Sequence, residues 1–502
     1  MKLIYNAYSH FMKMTILLPS LIIGCIELAN GQQSFDLILK GGRVIDPETK
    51  LDAIRNIGII DNRITEISLE ALTGKEIIDV TGLVVSPGFI DLHVHGVTNM
   101  EQEYQMHDGV TTALELEMGM PFLREWYASR TSKSIINYGA SVSWPHNRIQ
   151  TSGKFDVELG VLKKSRAQGE HGDKKIWKLL ETFDYEQLPP DMTKVLLDHI
   201  RSSLADGGIG IGMPVGYLLG ATRDEVFKVY QLAGELQAPI FTHVRKGKTM
   251  AIQQAISDAV ITRAPLHIEH INSMALDEIK LAIEMVTLAQ KRGFDITTEI
   301  YPYTAGSTGI ESPMFNEGWQ DRMGISYNEL QWVATGERLT EKTFSKYRKE
   351  GGKVIIHLMK PEWIKYGISS KETIIASDGM PYSKLAHPRT AGTFSRVLGK
   401  YVREDHVISL EEAISKMTIL PAKRLEGISP MMRFKGRIQI GSDADITIFD
   451  PKTINDKATF ENGLEFSEGI KYVIVNGILV IRDGQTIKNT FPGQPVYGKF
   501  KN

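Results

Sequence analysis

Between residues 84 and 377 the chain repeats one unit, a short apolar run followed by an amphipathic stretch of helical period, and the repetition fixes the architecture. The apolar runs fall at 84–92, 111–117, 135–143, 209–213, 240–243, 266–271, 296–300 and 373–377. Strands of this length alternating with helices build parallel sheets, either doubly wound or closed into a barrel. Eight of them favour an α/β fold of the closed (β/α)8 TIM type. Helix starts are written as capping boxes in Thr222-Arg-Asp-Glu225 and Ser409-Leu-Glu-Glu412, each ahead of an apolar-periodic run.

The two ends of the chain follow a different rule. From Phe35 to Val84, and again at 444–450 and 469–477, short strand-like runs alternate with turn residues and no helices intervene. These ends pair into one small β-sandwich domain, 35–86 with 438–498, flanking a barrel at 87–437. Inside the barrel, 304–372 is too long for a crossover and carries Trp319, Trp332 and Trp363, so an inserted subdomain is expected there. The first 31 residues read as a bacterial signal peptide: Lys2 and Lys13 lead into an apolar stretch from Met14 to Cys25, too short to span a membrane. Ala29-Asn30-Gly31 offers a cleavage site, which places the protein in the periplasm, and Cys25 offers a lipid anchor as the alternative. Met12 and Met14 are alternative starts. Cys25 is the chain's single cysteine, so no intrachain disulfide can form and stability must come from the core. A formal net charge of −2 with both signs interspersed excludes the clustered cations of a nucleic-acid partner.

The ionisable groups of chemical interest lie where the predicted barrel strands end. His93 and His95 stand at i and i+2, so both imidazoles project from one face of their strand. Phe241-Thr-His243 and Leu266-His267-Ile-Glu-His270 bring further imidazoles, and Ala376-Ser-Asp378-Gly379 a carboxylate. Barrel active sites are assembled at this C-terminal face. His267 and His270 are three apart and face oppositely on a strand; His270 is read as the ligand and His267 as packing. Together these groups describe a metal centre, with Asp378 among its ligands.

Several motifs resemble the amidohydrolase superfamily and, within it, the D-aminoacylase family of N-acyl-D-amino-acid deacylases. They are Pro87-Gly-Phe-Ile-Asp-Leu-His-Val-His95, Gly109-Val-Thr-Thr112, Gly441-Ser-Asp-Ala-Asp445, Tyr301-Pro-Tyr-Thr-Ala-Gly-Ser-Thr308, Ser377-Asp-Gly-Met-Pro381 and His387-Pro-Arg389, and the likeness covers essentially everything after Phe35. The resemblance implies one or two Zn2+ ions held by His93, His95, His243 and His270, with Asp378 as general base. It also implies a substrate carboxylate held by Arg389, Tyr217 and the Tyr301–Tyr303 segment, and an inserted subdomain that acts as a lid over the site. The reaction implied is hydrolysis of an N-acyl-D-amino acid. Another amidohydrolase reaction, on a cyclic amide or dipeptide as in hydantoinases and dihydroorotases, is the alternative; a non-catalytic binding protein is a third reading.

Two departures from the family pattern bear on the site. Where relatives carry a cysteine ligand this chain has Glu115-Leu-Glu117-Met118, and counting puts Met118 at the cysteine. A thioether is a poor zinc ligand, whereas buried carboxylates are costly unless paired or coordinated, so Glu117 is expected as the ligand and Glu115 as its alternative. Second, Asn272 stands where relatives place a lysine on the substrate carboxylate, which forfeits a charge-assisted contact of about 1.5–3 kcal/mol and leaves Arg389 as the principal anchor. His387, Arg148 and Arg245 are nearby in the motif order and are read as structural or supporting.

Overall fold

A computed structural model of the protein describes residues 34–170, 174–381 and 387–501; the expected leader and Cys25 lie outside them. Eight parallel strands form the barrel: β1 (Phe89–Asp91), β2 (Val110–Met120), β3 (Asn137–Ser143), β4 (Ile211–Met213), β5 (Ile240–Thr242), β6 (Leu266–Ile268), β7 (Ile296–Ile300) and β8 (Thr373–Ile375). Each pairs in register with its sequence neighbour, as in Ile240 opposite Leu266 and Leu266 opposite Ile296. The ring closes just beyond β1 and β8, where Val94 bridges Gly379 and the Gly379 carbonyl accepts the N–H of His95 at 2.6 Å. Helices cover the outside by the expected spacing: Ile279–Lys291 buries Ile279, Ala282, Ile283, Val286 and Ala289, one stripe at three- and four-residue steps. Ser409 and Glu412 close their capping box. Thr222 caps Glu225, but the Glu225 carboxylate is taken by buried Arg148 at 2.7 Å, so that box is half made.

The first predicted strand divides in two. Val84–Pro87 belongs to the terminal sheet and only Phe89–Asp91 to the barrel. The break falls at Gly88, where a Cβ would sit 2.1 Å from Thr111 Oγ1, so only glycine lets the chain pass β2 there.

The two ends do join. Val84–Pro87 pairs antiparallel with Ile446–Phe449, and the combined nine-stranded sheet buries Leu39, Val44, Ile57, Ile59, Ile446 and Ile448 in a core separate from the barrel's. The sheet is pinned to the barrel floor by a buried cluster: Lys435 Nζ lies 2.9 Å from Asp443 and 2.7 Å from Asp445, and Asp445 also accepts from Asn137 Nδ2 at 2.8 Å. The Gly441–Asp445 motif therefore serves packing; buried charges persist because each has a partner.

The expected insertion is a three-stranded antiparallel sheet, with Lys353–Ile356 between Gly306–Gly309 and Leu330–Trp332. It has its own core around Phe315, Trp319, Trp332 and Phe344. Trp363 departs from the expectation: it lies on the helix Pro361–Ser369 and packs against the barrel core, because that helix is the crossover into β8. Among the described residues no helix is long and apolar enough to cross a membrane.

Candidate metal centre and substrate cavity

The site is built on the ends of the barrel strands. Asp91 at the end of β1 accepts the backbone N–H groups of His93 and Ser377, at 3.1 and 3.0 Å, and so ties the segment after β1 to the one after β8. With the backbone held, His93 Nε2 and His95 Nε2 approach to 3.3 Å. Asp378 Oδ1 lies 3.6 and 3.4 Å from these nitrogens, and Glu117 Oε2 3.4 and 3.2 Å from them. The other oxygen of Glu117 faces a second pair, His243 Nδ1 at 3.0 Å and His270 Nε2 at 3.1 Å. One carboxylate thus spans two donor groups, one of three further atoms and one of two.

These spacings suit a metal. Zn–ligand bonds of about 2.0–2.1 Å at tetrahedral angles separate donor atoms by about 3.4 Å. The charge balance points the same way: Glu115, Glu117, Glu299 and Asp378 are all under a tenth exposed, and Arg389 stands 2.9 Å from Asp378. Buried anions in such excess require a counter-cation. The donor set, imidazole nitrogens and carboxylate oxygens, is that of a one- or two-ion zinc site.

A tier of carboxylates beneath orients the imidazoles. Glu299 Oε1 lies 2.6 Å from His93 Nδ1, and Glu115 Oε2 lies 2.9 Å from His95 Nδ1, which leaves both Nε2 atoms facing inward. Glu269 stands 3.0 Å from His93 Nδ1. Burial and neighbouring Glu299 push Glu269 well above the carboxylate range, whereas His93 and His267 overcome burial to hold Glu299 well below it. His267 packs below the centre, its ring nitrogens against Thr297 and Glu299, as read from its position on the strand. Sequence reasoning missed Asp91, Glu269 and Glu299; the cost of a carboxylate in an apolar strand, which singled out Glu115 and Glu117, applies to them equally.

Local backbone explains how β2 delivers Glu117. Glu115 pairs with Ala140 and Met120 with Val142, so β2 carries surplus residues that bulge at 116–119. Gly119 has φ 65°, and a Cβ there would lie 2.6 Å from Ser143 N. Met118 turns its N–H onto Glu115 Oε1 at 3.1 Å, and the bulge sends both Glu115 and Glu117 inward. His270 and Asp378 also occupy the left-handed region, φ 29° and 51°, a strain held by the barrel's closure.

Above the donor groups opens a cavity of about 490 Å3 lined by His243, His270, Asp378, Tyr217, Tyr301 and Arg389, with the lid as its far wall. Arg389 is 1% exposed, lies over the Tyr301 ring at 4.9 Å and places Nη2 2.9 Å from Asp378 Oδ1. His387 positions it by accepting the Arg389 N–H at 3.1 Å while donating to Ala305 O at 2.9 Å; burial and Arg389 keep that imidazole neutral. Tyr217 stacks near His243 and meets Thr308 of the lid at 3.2 Å.

Two residues read as substrate contacts point elsewhere. Tyr303 donates to Asp456 at 3.2 Å under the Arg396 guanidinium, and Asn272 donates to the Tyr301 carbonyl at 3.3 Å; neither lines the cavity. Both are drawn away by buried acceptors. Arg148 is structural, bonded to Glu225 and the Glu186 carbonyl, whereas Arg245 lines the cavity mouth.

The fold and this donor set are those of a metal-dependent hydrolase, and a model of the amidohydrolase family matches residues 266–481. Within that class the motifs' likeness to the D-aminoacylases is borne out: the chain is 28% identical to the D-aminoacylase of Alcaligenes xylosoxydans xylosoxydans, covering 89% of this chain and 94% of that one. Among solved structures, a D-aminoacylase superposes with a TM-score of 0.73 at 25% identity, covering 92% of this chain and 100% of that one. The fold is shared with N-acyl-D-glutamate deacylase from Bordetella bronchiseptica complexed with zinc and a phosphonate inhibitor, TM-score 0.76 at 22% identity, covering 93% and 100%.

Proposed function

We propose that this protein hydrolyses the amide bond of N-acyl-D-amino acids, releasing a carboxylate and the free D-amino acid. The observation that carries the reading is one cavity bounded by the His–carboxylate cluster and by a buried guanidinium, Arg389, whose Nε and Nη1 are without hydrogen-bond partners among the described residues. An amide that bears a carboxylate fits between them.

His93, His95, Glu117, His243, His270 and Asp378 would hold the metal. Zinc, when bound, supplies Lewis acidity, lowering the pKa of water from about 15.7 toward about 7 and polarising an amide carbonyl. Asp378 acts as general base toward that water and then passes the proton to the departing amine, the step an amide leaving group needs. Arg389 and His93 overcome burial to hold Asp378 well below the carboxylate range. Arg389 takes the substrate carboxylate with its planar fork, and this draws it off Asp378, which becomes a better base as substrate arrives. Tyr217 and Tyr301 form the walls, and the lid keeps bulk water out. The leader-like first 31 residues support a periplasmic site of action, with an anchor at Cys25 as the alternative. A terminal domain of 35–86 with 438–498 beside a barrel of 87–437 and an insertion within 304–372 is supported by the separate apolar clusters of the terminal sheet and of the insertion.

The test offers zinc-loaded protein N-acetyl-D- and L-amino acids, hydantoins and dipeptides. Turnover of the D-series is expected. Activity confined to L-substrates or to cyclic amides would overturn the reading.

A further inference from the structure

We propose that the substrate carries a second anion, so that the cavity takes N-acyl-D-amino acids whose own side chain ends in a carboxylate. This deepens the deacylase reading and rests on it. Arg389, at the end of the cavity beside Asp378, receives the α-carboxylate. Two further cations line the same cavity at its lid side: Lys246, three residues past His243, and Arg322, on the lid helix Trp319–Met323.

Neither of these is neutralised. Lys246 Nζ donates to the Pro313 carbonyl, and Arg322 donates to the carbonyls of Glu317 and Asn316, at 2.6 and 2.8 Å. Among the described residues no carboxylate pairs with either, although Lys248 on the same wall has Asp277 at 2.5 Å. The carboxylates that line the cavity are otherwise engaged, Asp378 by Arg389 and Glu278 by the N–H of Thr249 at 3.1 Å. Burial first, then the nearby Arg322 and Arg348, push the Lys246 ammonium down to about 8. The wall between carries Met274, Met314, Met323, Ile356 and Leu358, which accept methylenes, and leads to the two cations, which favour a charged end group over a neutral one. A side chain of one or two methylenes ending in a carboxylate satisfies the wall and its charged rim together. It also accounts for the tolerated loss of a cation at Asn272, which is turned away from the cavity.

The comparison that isolates charge from shape is N-acetyl-D-glutamate against N-acetyl-D-glutamine, with N-acetyl-D-leucine as the apolar control, on the zinc-loaded full chain. We expect kcat/KM to favour the glutamate by about tenfold or more, carried mainly in KM and shrinking as salt is raised. The ratio should collapse toward one in Lys246→Met and Arg322→Met and survive in Lys246→Arg, with zinc content and melting temperature confirming that each variant is folded. Glutamine or leucine substrates turned over as well as glutamate would overturn this proposal while leaving the deacylase reading standing. No turnover of any D-substrate would overturn the deacylase reading and this one with it.

Discussion

Glu117 divides the two oxygens of one carboxylate between donor groups, 3.2 Å from His95 on one side and 3.0 Å from His243 on the other. Glu117→Ala should therefore lose bound zinc from both groups, read as metal per chain after dialysis. Glu117→Cys should keep it, since thiolate is a good zinc donor. Glu299 acts through His93, fixing which nitrogen faces inward; Glu299→Gln should weaken zinc binding by about 10–100-fold, measured by competition with a chelator, with the fold intact. At this scale the sequence was informative wherever a residue type alone implies chemistry, as for the histidines and Asp378. It was silent where direction decides: Asn272 and Tyr303 sit beside the site in the chain but bond to the Tyr301 carbonyl and to Asp456, partners that only the folded structure brings near.

Elements were legible in proportion to their burial. The eight barrel strands announce themselves because both faces are covered and each is a short, mostly apolar run. The bulge in β2 was marked only indirectly, by the two carboxylates Glu115 and Glu117 in one apolar run and by Gly119 after them. Gly119→Ala adds a Cβ that meets the Ser143 backbone in a left-handed conformation. It should cost about 1–3 kcal/mol in chemical denaturation and, by shifting Glu117, reduce zinc content as well. A destabilised variant that retained full zinc would show that the bulge does not aim the carboxylate. The lid's extent was read one element too far, because the crossover helix Pro361–Ser369 carries aromatic residues like the insertion it follows.

Across the whole molecule the two chain ends are held to the barrel by charge as well as by the shared sheet. Glu48, in the turn after the first terminal strand, meets Arg437 at 2.5 Å and Lys423 at 3.1 Å, the latter on the helix Ile419–Glu426. The Arg437 hydrogen bond, followed by those of Lys423 and Gln439, lowers the Glu48 carboxyl from 4.5 to about 2 against burial. A folded value below the unfolded one means the stabilisation is complete above pH 4.5 and disappears as the pH falls toward 2. Glu48→Gln should accordingly melt below the wild type at neutral pH, with the difference closing through that acid window; a constant gap would assign the loss to something other than ionisation. That the ends pair was legible from their matching strand character, but which charges fasten them was not, since Glu48 and Arg437 lie 389 positions apart.

The ring of strands is sewn shut around Gly379, whose carbonyl accepts the His95 and Gly96 N–H groups and whose N–H meets the His93 carbonyl, and the residues on either side of that seam are ones of the donor cluster: His93 and His95 to one side, Asp378 to the other. Completing the barrel and completing the ligand set are consequently one event. A growing chain carries five of the six donors once His270 is made and lacks the sixth, Asp378, until about three-quarters of it has been made, and it gains the capacity to hydrolyse only when its earliest barrel strand finds its last.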